Sequence, residues 1–339
     1  MHTLINLIEQ SGAQYRIYDM GRAIRKIDRD LFKKFEAAEV PYPYPFQGHA
    51  WFAVLFWSPQ AKQEHQIWFV KFPLDEQGLL KQACRDDFIK RTIDEIAQRQ
   101  SQDQSAPTES DNPWGFTPHQ DKMAAIHAKS SVAMGFAASQ FYEPVLSFLQ
   151  HPDDQWQSLG IQGIADFCAR LDENDNEALV INALGKMPSE LLIAFLPHLL
   201  PHLENESISH RLAEAILGIS EIRESVQLLS AGIRALSQSS GSYLHTLISE
   251  ALTSPHQNSV EVLVSISGRA WDALEDPQLA LQFLEALARN DAGQQGFNHI
   301  LRDILYLPKI GPVIREAFRS EERSDSLISV LGEFLKDVH

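Results

Sequence analysis

Carboxylates and arginines stand at two places in the N-terminal sequence where a predicted strand gives way to a helix. Asp19 and Arg22 follow the first strand, and Asp75, Glu76 and Arg85 follow a later one. If these two junctions meet at one edge of a sheet, the five side chains form a polar pocket. Acid–base catalysis in such a pocket would require a carboxylate with a shifted pKa. The alternative is that the carboxylates cap helices and the arginines form ion pairs within the domain.

Four basic residues recur at helical spacing after the first junction. They are Arg22, Lys26, Arg29 and Lys33, on a helix that we predict from residue 22 to about residue 38. The 3.6-residue period places them opposite an apolar face, so they form a basic stripe. Such a stripe is suited to an acidic protein, a phosphate or the acidic half of this chain. The alternative is an ordinary solvated helix face.

Three weaker patterns resemble metal or nucleophile sites, but each lacks a required feature. His198 and His202 stand four residues apart, without the glutamate of a HExxH motif. Residues 172–177 begin like a calcium loop that then lacks its turn glycine and its final glutamate. Cys84, which His49 could activate, falls on the apolar side of its predicted helix, where thiols are inert. We therefore predict no catalytic residue, no cofactor and no metal site.

The elements that position these residues predict an α+β domain over residues 1–97, with a short antiparallel sheet and helices. A strand at 14–18 precedes the basic helix, and the apolar segments 50–57 and 66–72 form a hairpin. A helix is predicted at 76–97. Both hairpin strands are apolar on two faces, which indicates burial under helices or in a subunit interface. A homodimer through Ala50–Trp57 is one arrangement that this pattern favours.

The rest of the chain predicts a linker and a second, all-α domain. Residues 98–121 are rich in Gln, Ser, Asp and Pro without periodicity, so we predict a linker there, anchored by Trp114 and Phe116. In residues 122–339, a long helical stretch at 122–150 is followed by apolar helices in pairs, at intervals of about 34 residues. Because a single pair cannot bury its apolar face, we predict a HEAT-like helical-repeat array, an α-solenoid. A non-repetitive helical bundle is the alternative.

Turn residues such as Pro188, Pro255 and Pro277 mark the starts of several of these helices. The predicted pairs, in chain order, are 156–170 with 177–184, 191–203 with 211–217, 226–236 with 243–252, 260–274 with 279–289, and 297–307 with 313–318, and a last helix at 326–336 closes the array.

The net charge of −16 is unevenly distributed along the chain. Residues 1–121 carry 14 basic and 17 acidic residues, whereas residues 122–339 carry 15 and 28. A surface this acidic repels a phosphate backbone, which argues against nucleic acid as a partner.

The cysteines, the N-terminal sequence and the apolar runs bear on where in the cell the protein is located. Cys84 and Cys168 are far apart and offer no disulfide framework, as expected in a reducing environment. The N-terminal sequence lacks the basic region of a signal peptide. The longest apolar run, residues 50–57, is too short to cross a membrane. We therefore expect a cytoplasmic protein with no membrane partner.

Several N-terminal motifs resemble those of a known family. They are Tyr18-Asp-Met-Gly-Arg22, Pro41-Tyr-Pro-Tyr-Pro45, Ile67-Trp-Phe-Val-Lys-Phe-Pro-Leu-Asp-Glu-Gln-Gly78 and Cys84-Arg-Asp-Asp-Phe88. Together they resemble an uncharacterised proteobacterial family, catalogued as a domain of unknown function, that spans the whole of chains of about 340 residues. The resemblance implies a bacterial cytoplasmic protein. It implies no activity, cofactor or catalytic residue.

Two functional hypotheses follow from the sequence. The first is a non-enzymatic scaffold or adaptor that docks a protein partner on an acidic helical-repeat surface, because stacked repeats present long rigid surfaces. The second is a small-ligand sensor or enzyme that uses the polar pocket of the α+β domain.

Overall fold

The computed structural model describes residues 3–100, 112–152, 155–199, 206–239 and 242–337. By its internal contacts the chain divides into two compact units, Met1–His119 and Gln120–His339.

The first unit is a four-stranded antiparallel sheet with three helices. Its strands are β1 (Gln14–Asp19), β2 (Lys26–Ile27), β3 (His49–Ser58) and β4 (Ala61–Pro73), and its helices are α1 (Leu4–Gln10), α2 (Arg29–Glu36) and α3 (Gln82–Gln100). The strands lie in the order β2-β1-β3-β4, so β3 is internal. The predicted sheet of short antiparallel strands with helices is confirmed.

Every second side chain along the two long strands, β3 and β4, points into the core of this unit. Phe52 lies opposite Val70 in the β3–β4 register, and Val54 lies opposite Trp68. All four belong to one apolar cluster, and Phe32 from α2 packs its ring edge-on against Phe52 at 5.0 Å. This face of the sheet is therefore buried beneath helices, and on the opposite face Tyr18, Ala53 and Leu55 are buried as well.

The helix predicted from residue 22 begins seven residues later. Lys26 and Ile27 form β2 instead, with Ile27 opposite Ile17 of β1. The carboxylate of Asp28 then accepts hydrogen bonds from the backbone N–H groups of Asp30 and Leu31, both at 3.0 Å. This N-cap fixes the helix start and overrides the apolar period that runs across residues 24–27.

The helix predicted from residue 76 also begins later, at Gln82. The carboxylate of Asp75 accepts the backbone N–H groups of Gln77 at 2.9 Å and Leu79 at 2.8 Å. These bonds close a tight turn and not a helical one. Aspartate is favoured both at helix N-caps and in tight turns. The sequence pattern therefore did not distinguish a turn from a helix start at Asp75.

Part of the predicted linker belongs to the first unit. The Lys71 N–H donates to the Trp114 carbonyl at 2.8 Å, and the Phe116 N–H donates to the Phe69 carbonyl at 3.3 Å. The indole N–H of Trp114 also donates to Asp87 at 2.9 Å. Residues 112–116 therefore extend the sheet at the outer edge of β4. Residues 101–111 of the predicted linker lie outside the described residues.

Among its described residues, the second unit contains helices and the loops that join them, and no strands. Its helices are α4 (Gln120–Met134), α5 (Tyr142–Gln150), α6 (Ile161–Cys168), α7 (Asn176–Leu184), α8 (Ser189–Leu199), α9 (Glu206–Leu217), α10 (Val226–Leu236), α11 (Tyr243–Ala251), α12 (Val260–Arg269), α13 (Pro277–Leu287), α14 (Gly293–Leu305), α15 (Ile310–Ala317) and α16 (Asp325–Asp337), with short 3-10 turns at Trp156–Ser158, Ser220–Arg223 and Trp271–Glu275.

The helices predicted from the sequence are present, with ends shifted by several residues. The predicted helix at 191–203 extends into residues 200–205, which lie outside the described residues. The long stretch at 122–150 is two helices, because Gly135 takes a left-handed backbone with φ of 74° and ends the first of them.

Helices of the second unit pack against the helix two positions along the chain. One row runs through α4, α6, α8, α10, α12, α14 and α16, and another runs through α5, α7, α9 and α11, with α13 packing on α15. Side-chain bonds along the second row join residues about one predicted period apart. Asn176 donates to the Tyr142 hydroxyl, 34 residues away, and Arg211 donates to Glu177, also 34 residues away.

Gly163 of α6 should be the least replaceable glycine of this packing. A Cβ there would overlap the Phe141 carbonyl oxygen and lie 3.0 Å from a methyl carbon of Val145. We predict that Gly163→Ala lowers the free energy of unfolding by about 2 kcal/mol or more. The matched control is Gly332→Ala on α16, where a Cβ meets nothing within 4 Å. That change should stabilise by about 0.5 kcal/mol. Thermal unfolding of both variants checks this, and equal melting temperatures would contradict it.

Candidate functional site

Asp19 is fully buried at the end of β1, where it organises the turn that follows. Its carboxylate accepts the backbone N–H groups of Gly21, Arg22 and Ala23 at 3.2–3.3 Å. It also accepts the hydroxyl of Tyr42 at 2.9 Å. Four donors therefore use this carboxylate within the protein, which is the pattern of a structural anion and not of an exposed catalytic base.

Arg22 is buried beside this turn and binds the proline-rich connector. Its Nε donates to the Pro45 carbonyl at 2.8 Å, and its guanidinium lies 5.5 Å from the centre of the Phe46 ring. The Phe46 carbonyl in turn accepts the indole N–H of Trp51 at 3.0 Å. Arg22 thus fixes the connector against β3.

Tyr42 joins the two strand-to-helix junctions. Its hydroxyl donates to Asp19, and its backbone N–H donates to the Gly78 carbonyl at 2.9 Å, within the turn closed by Asp75. Burial, with the Asp19 carboxylate beside it, raises the pKa of Tyr42 far above its ordinary value, so the phenol remains a donor. The same buried tyrosine thus bonds residues of both junctions, and Glu76 is exposed at the surface.

Arg85 is buried but serves a different element. Its guanidinium donates to the backbone carbonyl of Glu36 and, at 2.7 Å, to the carboxylate of Asp86. Arg85 therefore binds the C-terminal end of α2, where a cation is favoured by the helix dipole.

Glu36 is a buried carboxylate that the sequence reasoning missed. Its two oxygens accept the first backbone N–H groups of α1, from Leu4 at 2.8 Å and from Ile5 at 3.2 Å. Burial raises the pKa of Glu36 to about 7, although those hydrogen bonds and the charge of Arg85 oppose the shift. The available signal was its place four residues after Phe32, on the apolar side of α2.

The basic stripe does not form a single helix face. Arg22 is buried, and Lys26 lies on β2. Arg29 donates to the Tyr15 carbonyl at 2.6 Å and covers the Tyr15 ring at 4.6 Å. Lys33 pairs with Glu9 at 2.8 Å. Of the four, only Arg29 and Lys33 share a helix, and both bind groups of the first unit.

The strand predicted to mediate a homodimer lies in the middle of the sheet. β3 is hydrogen-bonded to β1 on one side and to β4 on the other. Most side chains of Ala50–Trp57 are buried, and only Trp51 and Phe56 are partly exposed. A twofold contact through this strand would have to use those two side chains, and it stays a prediction.

The histidine and cysteine patterns fall on buried or bonded side chains. Burial lowers the pKa of His198 to about 4, so this imidazole is neutral at pH 7, whereas His202 lies outside the described residues. Burial raises the pKa of the Cys84 thiol, which keeps it protonated and poorly nucleophilic. Among the described residues, no group of three or more His, Cys, Asp or Glu side chains is arranged to hold a metal ion.

The calcium-like segment 172–177 holds helices together. The amide of Asn176 donates to the Arg170 carbonyl at 2.8 Å as well as to Tyr142. Glu177 pairs with Arg211 of α9. Asn176 and Glu177 are therefore used within the helical unit, whereas residues 172–175 are exposed.

Two surface grooves were not foreseen from the sequence. The first, of about 720 Å³, lies between β4, α3 and residues 112–117 of the first unit. The second, of about 460 Å³, lies between α11 and α13 and includes His245, Glu250 and Asp276. Both arise between elements that are distant in sequence, so no local motif marks them.

The chain belongs to the family described as "Protein of unknown function (DUF3549)", whose model matches residues 1–335. This confirms the family resemblance and its full-length extent. Neither the curated proteins nor the solved structures contain a match to the chain. Across the described residues, none of the helices has the length and apolar character that a membrane span requires.

Removing the Tyr42 hydroxyl should destabilise the first unit without affecting packing of the ring. Tyr42→Phe deprives Asp19 of a donor in a fully buried site. We predict a loss of about 1–3 kcal/mol in the free energy of unfolding. Urea denaturation followed by fluorescence measures it. The control, Tyr306→Phe, makes the same change where the hydroxyl has no bond to the described residues, and a loss as large there would contradict the prediction.

Glu36 should make stability depend on pH in a defined direction. Its folded pKa of about 7 exceeds the ordinary 4.5, so the folded state binds the proton more tightly. The contribution to stability is complete below pH 4.5 and is lost as the pH rises through about 7. Glu36→Gln should remove this loss. Between pH 5 and pH 8, the free energy of unfolding of the variant should therefore rise relative to that of the natural chain, by at most about 3 kcal/mol.

Urea denaturation at several pH values measures this difference. The control is Glu76→Gln, which changes an exposed glutamate and should leave the pH dependence unaltered. Parallel pH profiles for Glu36→Gln and the natural chain would contradict the assignment.

Proposed function

We propose that this protein is a non-enzymatic adaptor whose helical unit is a HEAT-like repeat array that docks a protein partner on an acidic surface. The observation that best supports this proposal is a series of side-chain hydrogen bonds between α5, α7, α9 and α11 that recur every 33 or 34 residues. Tyr142 bonds Asn176 across 34 residues, and the hydroxyl of Tyr243 bonds the His210 ring across 33. Nearly equal intervals are what stacking of like units produces, and stacked repeats present long, rigid surfaces for partners.

The acidic face that we propose for docking follows α9, the turn after it and α11. Its carboxylates, on a mostly exposed surface, are Glu206, Glu214, Glu221, Glu224 and Glu250. The arginines of the same region are already paired: Arg211 binds Glu177, and Arg223 binds Glu250 at 2.7 Å. The remaining negative charge suits a partner segment rich in lysine or arginine.

The charge balance of the whole unit supports the same choice of partner. Residues 120–339 carry 29 acidic and 15 basic residues. That excess opposes nucleic acid and favours a basic protein surface. A bacterial cytoplasmic location is part of this proposal, and the two free cysteines are consistent with a reducing compartment.

The alternative, a ligand sensor or enzyme at the polar residues of the first unit, has less support. A reacting carboxylate needs an open acceptor position, but Asp19 already accepts three backbone N–H groups and a phenol. Asp75 is likewise used by the N–H groups of its own turn.

Affinity capture from a bacterial lysate at low and moderate salt tests the adaptor function. The natural chain should retain one stoichiometric protein whose capture weakens with salt, because the contact is between opposite charges. Glu214→Lys combined with Glu224→Lys should abolish that capture. The matched control, Glu321→Lys with Glu322→Lys, makes the same charge change on exposed carboxylates before α16 and should retain it. Capture of no stoichiometric protein, or equal capture by all three chains, would overturn the proposal.

A further inference from the structure

The outer edge of β4 is only partly hydrogen-bonded. Lys71 and Phe69 direct their backbone groups away from β3, toward Trp114 and Phe116. Because this direction alternates along a strand, the backbone groups of Ile67 also point outward. The bonded segment leaves the edge after Phe116, since only the Phe69 carbonyl, and not its N–H, is used there. Within the described part of the chain, the Phe69 N–H and both backbone groups of Ile67 are therefore open to a further strand.

An aromatic groove lies directly beside these open groups. It is the groove of about 720 Å³ between β4, α3 and residues 112–117. Its apolar lining includes Trp68, Phe88 and Phe116, and the rings of Trp68 and Phe88 are 5.9 Å apart. A large apolar side chain from an added strand would find a matching surface here.

α3 adds charge and further apolar surface to the groove. Glu95 lines it and has no ion-pair or hydrogen-bond partner among the described residues. On the neighbouring face of the same helix, Ile93 is 45% exposed and Ile96 is 46% exposed. The groove thus combines an apolar floor with one free carboxylate at its side.

We propose that this edge and groove bind an extended peptide segment of a partner protein. The peptide adds to β4 at Ile67 and Phe69, lays a large apolar side chain against the packed rings of Trp68 and Phe88, and pairs a lysine or arginine with Glu95. The bound form is a strand because residues 112–116 already occupy the adjacent part of the edge in that way. This site is on the first unit and is independent of the acidic face proposed above.

The proposal is tested with a phage-displayed library of random twelve-residue peptides, selected on the full-length protein. The enriched peptides should share a large apolar residue close to a lysine or arginine. One such peptide is synthesised, and its affinity is measured by fluorescence anisotropy. Backbone N-methylation at the alternate residues that face β4 should weaken binding at least about tenfold, because it removes strand hydrogen bonds without changing side chains. N-methylation at the residues between them should have little effect.

Variants of the protein locate the binding site. Ile67→Pro removes an outward N–H and should weaken the peptide about tenfold or more. Should this variant melt early, Glu95→Lys provides a second test, because it leaves the strand intact and should also weaken binding about tenfold. The matched control is Asp94→Lys, the same charge change on the adjacent exposed residue, with affinity within about twofold of the natural chain. Failure to enrich any peptide, or equal affinity for Glu95→Lys and Asp94→Lys, would overturn the proposal.

Discussion

Each helix of the second unit has an apolar side that other helices of the unit cover, and the rest of that unit depends on this constraint. It explains why helices pack on the helix two positions along the chain and why bonds such as Glu177 to Arg211 span 34 residues. It also explains the surface that we propose for docking. Once the apolar sides are used between pairs, the outward faces are free to carry the excess of carboxylates, and the fold tolerates them because they remain in water.

The first unit depends instead on several buried polar groups that are hydrogen-bonded to other elements of the unit. Glu36 binds the start of α1 through its side chain and Arg85 of α3 through its backbone carbonyl. Asp19 and Tyr42 hold the connector against the sheet in the same manner. Buried charges are tolerated only when their partners are in place, so these groups fix the positions of the helices on the sheet. The residues that looked most like an active site therefore specify the fold.

Periodic features were predictable from sequence, whereas features that depend on a single distant partner were not. The hairpin and the helix pairs follow from local apolar spacing, which the chain carries in every segment. The late start of α2 was missed because the cap at Asp28 outweighs an apolar period that continues through residues 24–27. The role of Glu36 was missed because its partner Leu4 lies 32 residues away. The predicted polar pocket grouped Asp19 with Asp75, but no sequence pattern announces that the buried Tyr42 bonds both turns, through Asp19 and Gly78.

We propose that the helical unit docks a basic protein segment on the carboxylates of α9 to α11. Hydrogen–deuterium exchange of the full chain, with and without its captured partner, tests this most directly, because protection reports where a surface is covered. We expect the partner to slow exchange across residues 206–224 and 243–251, and this protection should weaken as salt is added. Protection that is absent from these residues and confined to other helices, or unchanged by salt, would contradict it.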